Sequence, residues 1–157
     1  MKRIATALML ICVSASAADN LKFHGTLVAP PTCTISNGNT IEVDFSKVFI
    51  DRIDGKNFMQ DVPYTITCSS STRDSSLEMT LTLTGAATDY NSAAIETDVP
   101  GLGIELQQDG KPFTIGSTIT IAESARPTLK AVPVKKSGAV LSESAFSAWA
   151  TLQVDYQ

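Results

Sequence analysis

With one histidine and three cysteines in 157 residues, the sequence is short of the groups on which most acid–base triads and zinc sites depend. Positive charge is scarce as well. Twelve Lys and Arg stand against 16 Asp and Glu, a formal charge of -4, so a run of phosphates could not be neutralised and nucleic acid is excluded as a partner. Aromatic residues make up 6% and charged residues 18%, yet 43% are hydrophobic, which argues against disorder. No apolar run reaches the ~20 residues needed to cross a bilayer, so stable membrane insertion is not expected. No window patterns as an amphipathic helix, no internal repeat is visible, and Asn-x-Ser/Thr is absent. These absences leave a single non-enzymatic domain with no cofactor and no metal as the expectation.

What is present begins with a segment to set aside. Residues 1–18 (MKRIATALMLICVSASAA) combine Lys2 and Arg3, a roughly ten-residue apolar stretch, and the small residues Ala15, Ser16 and Ala17. This pattern is a secretory signal peptide, with cleavage after Ala17 or Ala18 fitting equally. Its removal takes Lys2 and Arg3 away and leaves 10 basic against 16 acidic residues, a formal -6. Cys12 leaves too, so an odd cysteine count becomes the pair Cys33 and Cys68. In an oxidising compartment a disulfide is the simplest account of such a pair, two buried thiols being the alternative.

The remaining chain alternates with period two. Leu21, Phe23, Gly25 and Leu27 alternate with Lys22, His24 and Thr26; Ile41, Val43 and Phe45 alternate with Glu42 and Asp44. Val62, Tyr64, Ile66 and Cys68 continue the pattern, then Leu77, Met79, Leu81 and Leu83, then Leu102, Ile104 and Leu106. Phe113 with Ile115, Ile119 with Ile121, and a less regular run over 129–134 follow. Last, Phe146, Ala148, Ala150, Leu152, Val154 and Tyr156 alternate over 146–156. Such alternation, rich in β-branched residues, predicts strands with one buried face. Asn37-Gly38-Asn39, Asp54-Gly55, Asp109-Gly110 and Ser137-Gly138 supply turns, with Asp109-Gly110 the clearest hairpin; 69–76 and 86–94 read as loops. Seven or eight short strands at this spacing predict an antiparallel immunoglobulin-like sandwich.

Candidate chemistry is thin. His24 lies on the polar side of its strand without a nucleophile or orienting carboxylate nearby in sequence. Asp51-Arg52-Ile53-Asp54-Gly55 lacks the oxygen ladder of a calcium loop and reads as a charged turn. Glu96 and Asp98, before Pro100, read as a solvated face rather than a glycosidase pair. Gly101-Leu102-Gly103 is too short to cradle phosphate. Trp149, between Ala148 and Ala150, falls on a polar face, either as a contact residue or as a surface aromatic lying across its neighbours.

Two stretches carry a resemblance. Residues 20–36 (NLKFHGTLVAPPTCTIS) resemble the start of chaperone–usher pilins, whose leader alternates apolar residues around a glycine and runs into the first cysteine. Residues 146–157 (FSAWATLQVDYQ) resemble the last strand of those subunits, with its penultimate tyrosine, and Cys33 and Cys68 match the family's disulfide. The likeness covers essentially the whole chain. Ser144 departs from it, standing where the family often has a glycine.

The resemblance implies an all-β, incomplete immunoglobulin-like (pilin-type) sandwich that lacks its final strand and is completed by a donated one. Its divisions would be a signal peptide at 1–18, an N-terminal donor-strand extension at 19–31 and a pilin domain at 32–157. Leu21, Phe23, Gly25 and Leu27 would face inward in the donated strand. Phe146, Ala148, Ala150, Leu152, Val154 and Tyr156 would belong to the last strand, lining the acceptor groove, and the carboxylate of Gln157 would be held in the chaperone cleft. The partners implied are a periplasmic chaperone, an outer-membrane usher and neighbouring pilin subunits, on a route through the periplasm to the cell-surface fimbrium. The implied role is structural, as a minor or adaptor subunit contributing to adhesion.

The residues themselves point the same way. A last strand followed by one residue is expected to leave an exposed edge that invites a strand from another molecule. Residues 21–29 would extend about 30 Å, and burying Leu21, Phe23 and Leu27 would contribute roughly 1.5–3 kcal/mol each before ordering costs. The competing expectation is a free-standing secreted immunoglobulin-like module that binds carbohydrate or protein, with 21–29 folded into its own sheet.

Overall fold

A computed structural model describes residues 21–27, 29–69 and 77–156. The expected signal peptide, its expected cleavage site and Gln157 lie outside these residues, as does most of the expected 69–76 loop. The described chain is all-β, with ten strands and two single-turn 3-10 segments, Ser36–Gly38 and Ile50–Arg52. The strands are β1 Cys33–Ile35, β2 Gln60–Asp61, β3 Ile66–Cys68, β4 Met79–Gly85 and β5 Ala94–Glu96, followed by β6 Leu102–Gln108, β7 Lys111–Pro112, β8 Thr118–Ile121, β9 Leu129–Lys135 and β10 Ala150–Tyr156.

They form an immunoglobulin-like sandwich. One layer is the antiparallel order β10-β4-β8; the other is β2-β9-β6-β5, with β7 a hairpin return onto β6. A small sheet pairs β1 with β3. Met79, Leu81 and Leu83 of β4 and Val154 of β10 face Leu106 of β6, Leu129 of β9 and Ile95 of β5, with Tyr64 and Phe113 closing the core between them. Each of these side chains contributes roughly 1.5–3 kcal/mol of burial, so the two long pairings, β4 with β10 and β6 with β9, anchor the fold.

Local chemistry explains the breaks. The hairpin at Asp109-Gly110 forms as expected, both residues having positive φ (46° and 75°) in the two-residue turn that joins β6 to β7. The alternation over 62–68 is not one strand. Pro63 cannot donate to a ladder, and the chain crosses there from β2 in one sheet to β3 in another. Tyr64, at the crossing, is buried and donates its hydroxyl to the Pro127 carbonyl at 2.7 Å. Pro133 sits inside β9, yet its ring nitrogen falls on the β2 side, beyond the two residues that β2 pairs. Its missing N–H therefore costs no ladder bond.

Two expectations are corrected. The 86–94 stretch is not all loop: Ala93, Ala94 and Ile95 are buried, and Ala94–Glu96 forms β5 against β6. Small alanines among polar residues hid this short strand. Residues 41–45 do alternate, with Ile41, Val43 and Phe45 half-buried and Glu42 and Asp44 exposed, but they belong to no strand.

Candidate functional site

The last strand decides the site. β10 pairs along its whole length with β4, from Ala150 opposite Gly85 to Tyr156 opposite Met79. It ends the order β10-β4-β8, so among the described residues no strand is hydrogen-bonded to its other edge. β1 packs close beside β10 but is bonded to β3. The unpaired segment 41–45 is tied to the approach to β10 through Phe45, whose ring lies 6.1 Å from that of Phe146.

Apolar side chains in this region are only partly covered. Ile35, Ile41, Ala148, Leu152 and Tyr156 pack against the buried core without being buried themselves. In a completed sandwich such residues would be closed over by a neighbouring strand. Of these, Leu152 and Tyr156 stand on β10 itself, which is hydrogen-bonded along one edge only among the described residues, an arrangement open to an added strand.

The expected groove residues take graded positions. Val154 is buried, Leu152 and Tyr156 are half-buried, and Ala150, at the start of β10, is exposed. Phe146 and Ala148 precede β10 rather than continuing it, because Ala148 pairs with Thr97 across an isolated bridge. Asp98 holds that junction: its carboxylate accepts hydrogen bonds from the Ser147 N–H at 2.8 Å and the Ser147 hydroxyl at 2.9 Å. These bonds, the backbone one first, hold the Asp98 carboxyl below the usual carboxylate range. Asp98 is exposed, as expected of a solvated face, but no sequence motif marks its partner 49 residues away.

The opposite face of the same layer is polar. Thr151, Gln153 and Asp155 of β10 are exposed, beside Thr84, Thr82 and Thr80 of β4. Asp155 accepts a hydrogen bond from the Gln153 amide at 2.8 Å, and exposed Glu78 lies at the same end of this face. Trp149, 75% exposed, stands at the other end.

The leader is not used by its own domain. Leu21, Phe23 and Leu27 are 70%, 85% and 103% exposed, residues 21–27 lie in no strand, and a Cβ on Gly25 would meet nothing within 4 Å. His24 is exposed on this segment. Cys33 and Cys68 form a disulfide between register partners of β1 and β3. Of the remaining candidates, Asp54 spends its carboxylate on its own turn, accepting from the N–H groups of Asn57 and Lys56, which lowers its pKa. Among the described residues no group of three or more His, Cys, Asp or Glu is arranged to hold a metal. Gly103 is held by packing rather than chemistry, since a Cβ there would lie 2.8 Å from Thr88 Cγ2 and 2.9 Å from the Tyr90 hydroxyl.

Comparison with known proteins follows this geometry. The family described as Fimbrial protein matches residues 21–157. The chain is 54% identical to the uncharacterised fimbrial-like protein YfcQ of Escherichia coli strain K12, over 97% of this chain and 98% of that protein. Among solved structures, the P pilus adaptor subunit PapF superimposes with a TM-score of 0.59 at 23% identity, covering 82% of this chain and 98% of that one. A subunit from a chaperone–usher pilus, solved for the molecular basis of rod uncoiling, superimposes with a TM-score of 0.62 at 23% identity, covering 94% and 100%. At that identity these structures speak for the fold alone.

Proposed function

This chain belongs to the fimbrial protein family, and from that membership we propose that it is a structural subunit of a surface fimbria assembled by the chaperone–usher route. The observation that carries the reading is a complementary pair of features. A leader with alternating apolar residues is left exposed, and β10, which carries half-buried Leu152, is hydrogen-bonded along one edge only among the described residues. A strand supplied by another molecule would cover that edge, and the leader would be covered in turn by a neighbour's edge.

In this reading residues 19–31 are the donor extension and 32–157 the receiving domain. Leu21, Phe23, Gly25 and Leu27 point into the neighbour, while Ala148, Ala150, Leu152, Val154 and Tyr156 line the groove with Phe146 at its entrance. A periplasmic chaperone fills the groove first and holds the terminal carboxylate of Gln157; an outer-membrane usher then directs its replacement by the next subunit's leader. The single domain and short leader suit a minor or adaptor position, contributing to adhesion through the fibre. The alternative of a self-sufficient binding module required the leader to fold into its own sheet, and its exposure counts against that.

The test is co-expression with a candidate chaperone, followed by challenge of the purified complex with a synthetic peptide of residues 19–31. Displacement of the chaperone and a stable subunit–peptide complex are expected. A subunit that is monomeric and folded without any partner, and indifferent to the peptide, would overturn the reading.

A further inference from the structure

We infer that Trp149 is a separate contact between successive subunits, and that its indole takes Pro30-Pro31 of the second copy of this chain whose leader lies beside β10. The inference rests on the donor-strand reading above and adds a contact outside the groove. Trp149 is the only tryptophan of the chain and is 75% exposed where the chain enters β10. Its surroundings are small. Ala148 and Ala150 flank it in sequence, and Gly85 stands across the ladder from Ala150. No bulky neighbour in sequence or across that ladder covers the indole, and its exposure leaves it open to a partner.

The proline pair is uncovered as well. Pro30 is exposed, Pro31 is half-buried, and neither lies in a strand. Proline holds φ at about −65° and keeps the residue before it extended, so 29–31 make a stiff, extended rod. The base of that rod is clamped. The Thr32 N–H donates to Ser69 Oγ at 3.1 Å, the Ser69 N–H donates to the Thr32 carbonyl at 2.9 Å, and the disulfide follows at Cys33. Aromatic faces dock extended proline segments well, because a rod already straight loses little entropy on binding.

Chain length brings the two together at one end of β10 only. Pro30 is three residues past Leu27, the last apolar position of the leader's alternation, a reach of about 10 Å. β10 has seven residues, roughly 20 Å from Ala150 to Tyr156. A leader with Leu27 beside Ala150 sets its prolines next to Trp149. One with Leu27 beside Tyr156 carries them the other way, past outward positions held by Asp155, Thr80 and Thr120. Those groups offer a charge and hydroxyls, which proline, lacking an N–H, answers poorly. A rod clamped at Thr32 and stacked on Trp149 is held at both ends, and so fixes the angle between successive subunits.

Emission from the single tryptophan reports the contact directly. The chaperone–subunit complex is exchanged with peptides of residues 19–31 and 19–29, and the subunit–peptide complexes, freed of chaperone, are compared. The longer peptide should move the emission to shorter wavelength and reduce acrylamide quenching about twofold or more. It should also leave the subunit roughly threefold to tenfold more slowly than the shorter one. Pro30→Gly together with Pro31→Gly in the longer peptide should return all three readings to those of the shorter. A Trp149→Ala subunit should release both peptides at equal rates. Equal emission and release for 19–31 and 19–29, or a difference in release that persists in Trp149→Ala, would overturn the proline contact and leave the fimbrial reading standing. Insertion of neither peptide would remove both.

Discussion

Asp98 shows how much an exposed side chain can do when its bonds are long-range. It fixes Ser147, and through the Thr97–Ala148 bridge it sets where the chain enters β10. Because these bonds lower the folded-state pKa, Asp98 contributes stability above the ordinary carboxylate pKa of about 4, and that contribution is lost as pH falls through the lower folded value. Asp98→Asn should therefore lower the melting temperature of the peptide-completed subunit at neutral pH, with the gap from the parent closing in acid. Melting curves between neutral pH and the acid range will show this; a constant gap would mean that the carboxylate charge plays no part. Gly103 belongs to the same scale, since the absence of a side chain lets Thr88 and Tyr90 close over β6. Neither role was legible in the sequence, because each depends on a partner distant along the chain.

Among the elements, β10 and the leader are the informative pair, and both were visible as alternation. What alternation cannot report is whether a strand has a neighbour. Residues 41–45 carry the same pattern as β4 yet lie in no strand, because a period of two records only that one face is apolar. β5 was missed for the opposite reason, its buried face being partly alanine. Gly25 makes the element-scale prediction. In the isolated subunit a side chain there meets nothing, so Gly25→Leu should leave folding and chaperone binding unchanged. In the donor reading it faces into the neighbour's groove, and a leader peptide carrying Gly25→Leu should displace the chaperone at least about tenfold more slowly, the cost of overpacking being roughly 1–3 kcal/mol. The groove of the same variant should still accept the unmodified peptide at the normal rate. An unaltered rate for the Gly25→Leu peptide would place the glycine elsewhere.

For the molecule as a whole, the disulfide joins segments far apart in the chain. It spans a separation of 35 residues and holds together a sheet of two three-residue strands beside β10. In the chain-entropy account such a bridge is worth about 3–4 kcal/mol, a large part of the stability of a small domain. Cys33→Ser should sharply reduce the chaperone-bound subunit recovered from the periplasm, and undiminished recovery would show that the two sheets hold without it.

The sequence by itself determined the all-β class, the cysteine pair and the alternation of the last strand. These follow from composition, parity and period, which are local properties of a chain. Only the tertiary structure decided that, among the described residues, β10 is hydrogen-bonded to β4 alone, that residues 21–27 lie in no strand, and that Asp98 holds the entry to β10. Those are statements about which surfaces meet, and hydrogen-bond partners in a β-sheet are chosen across loops of any length, where no short-range pattern records them.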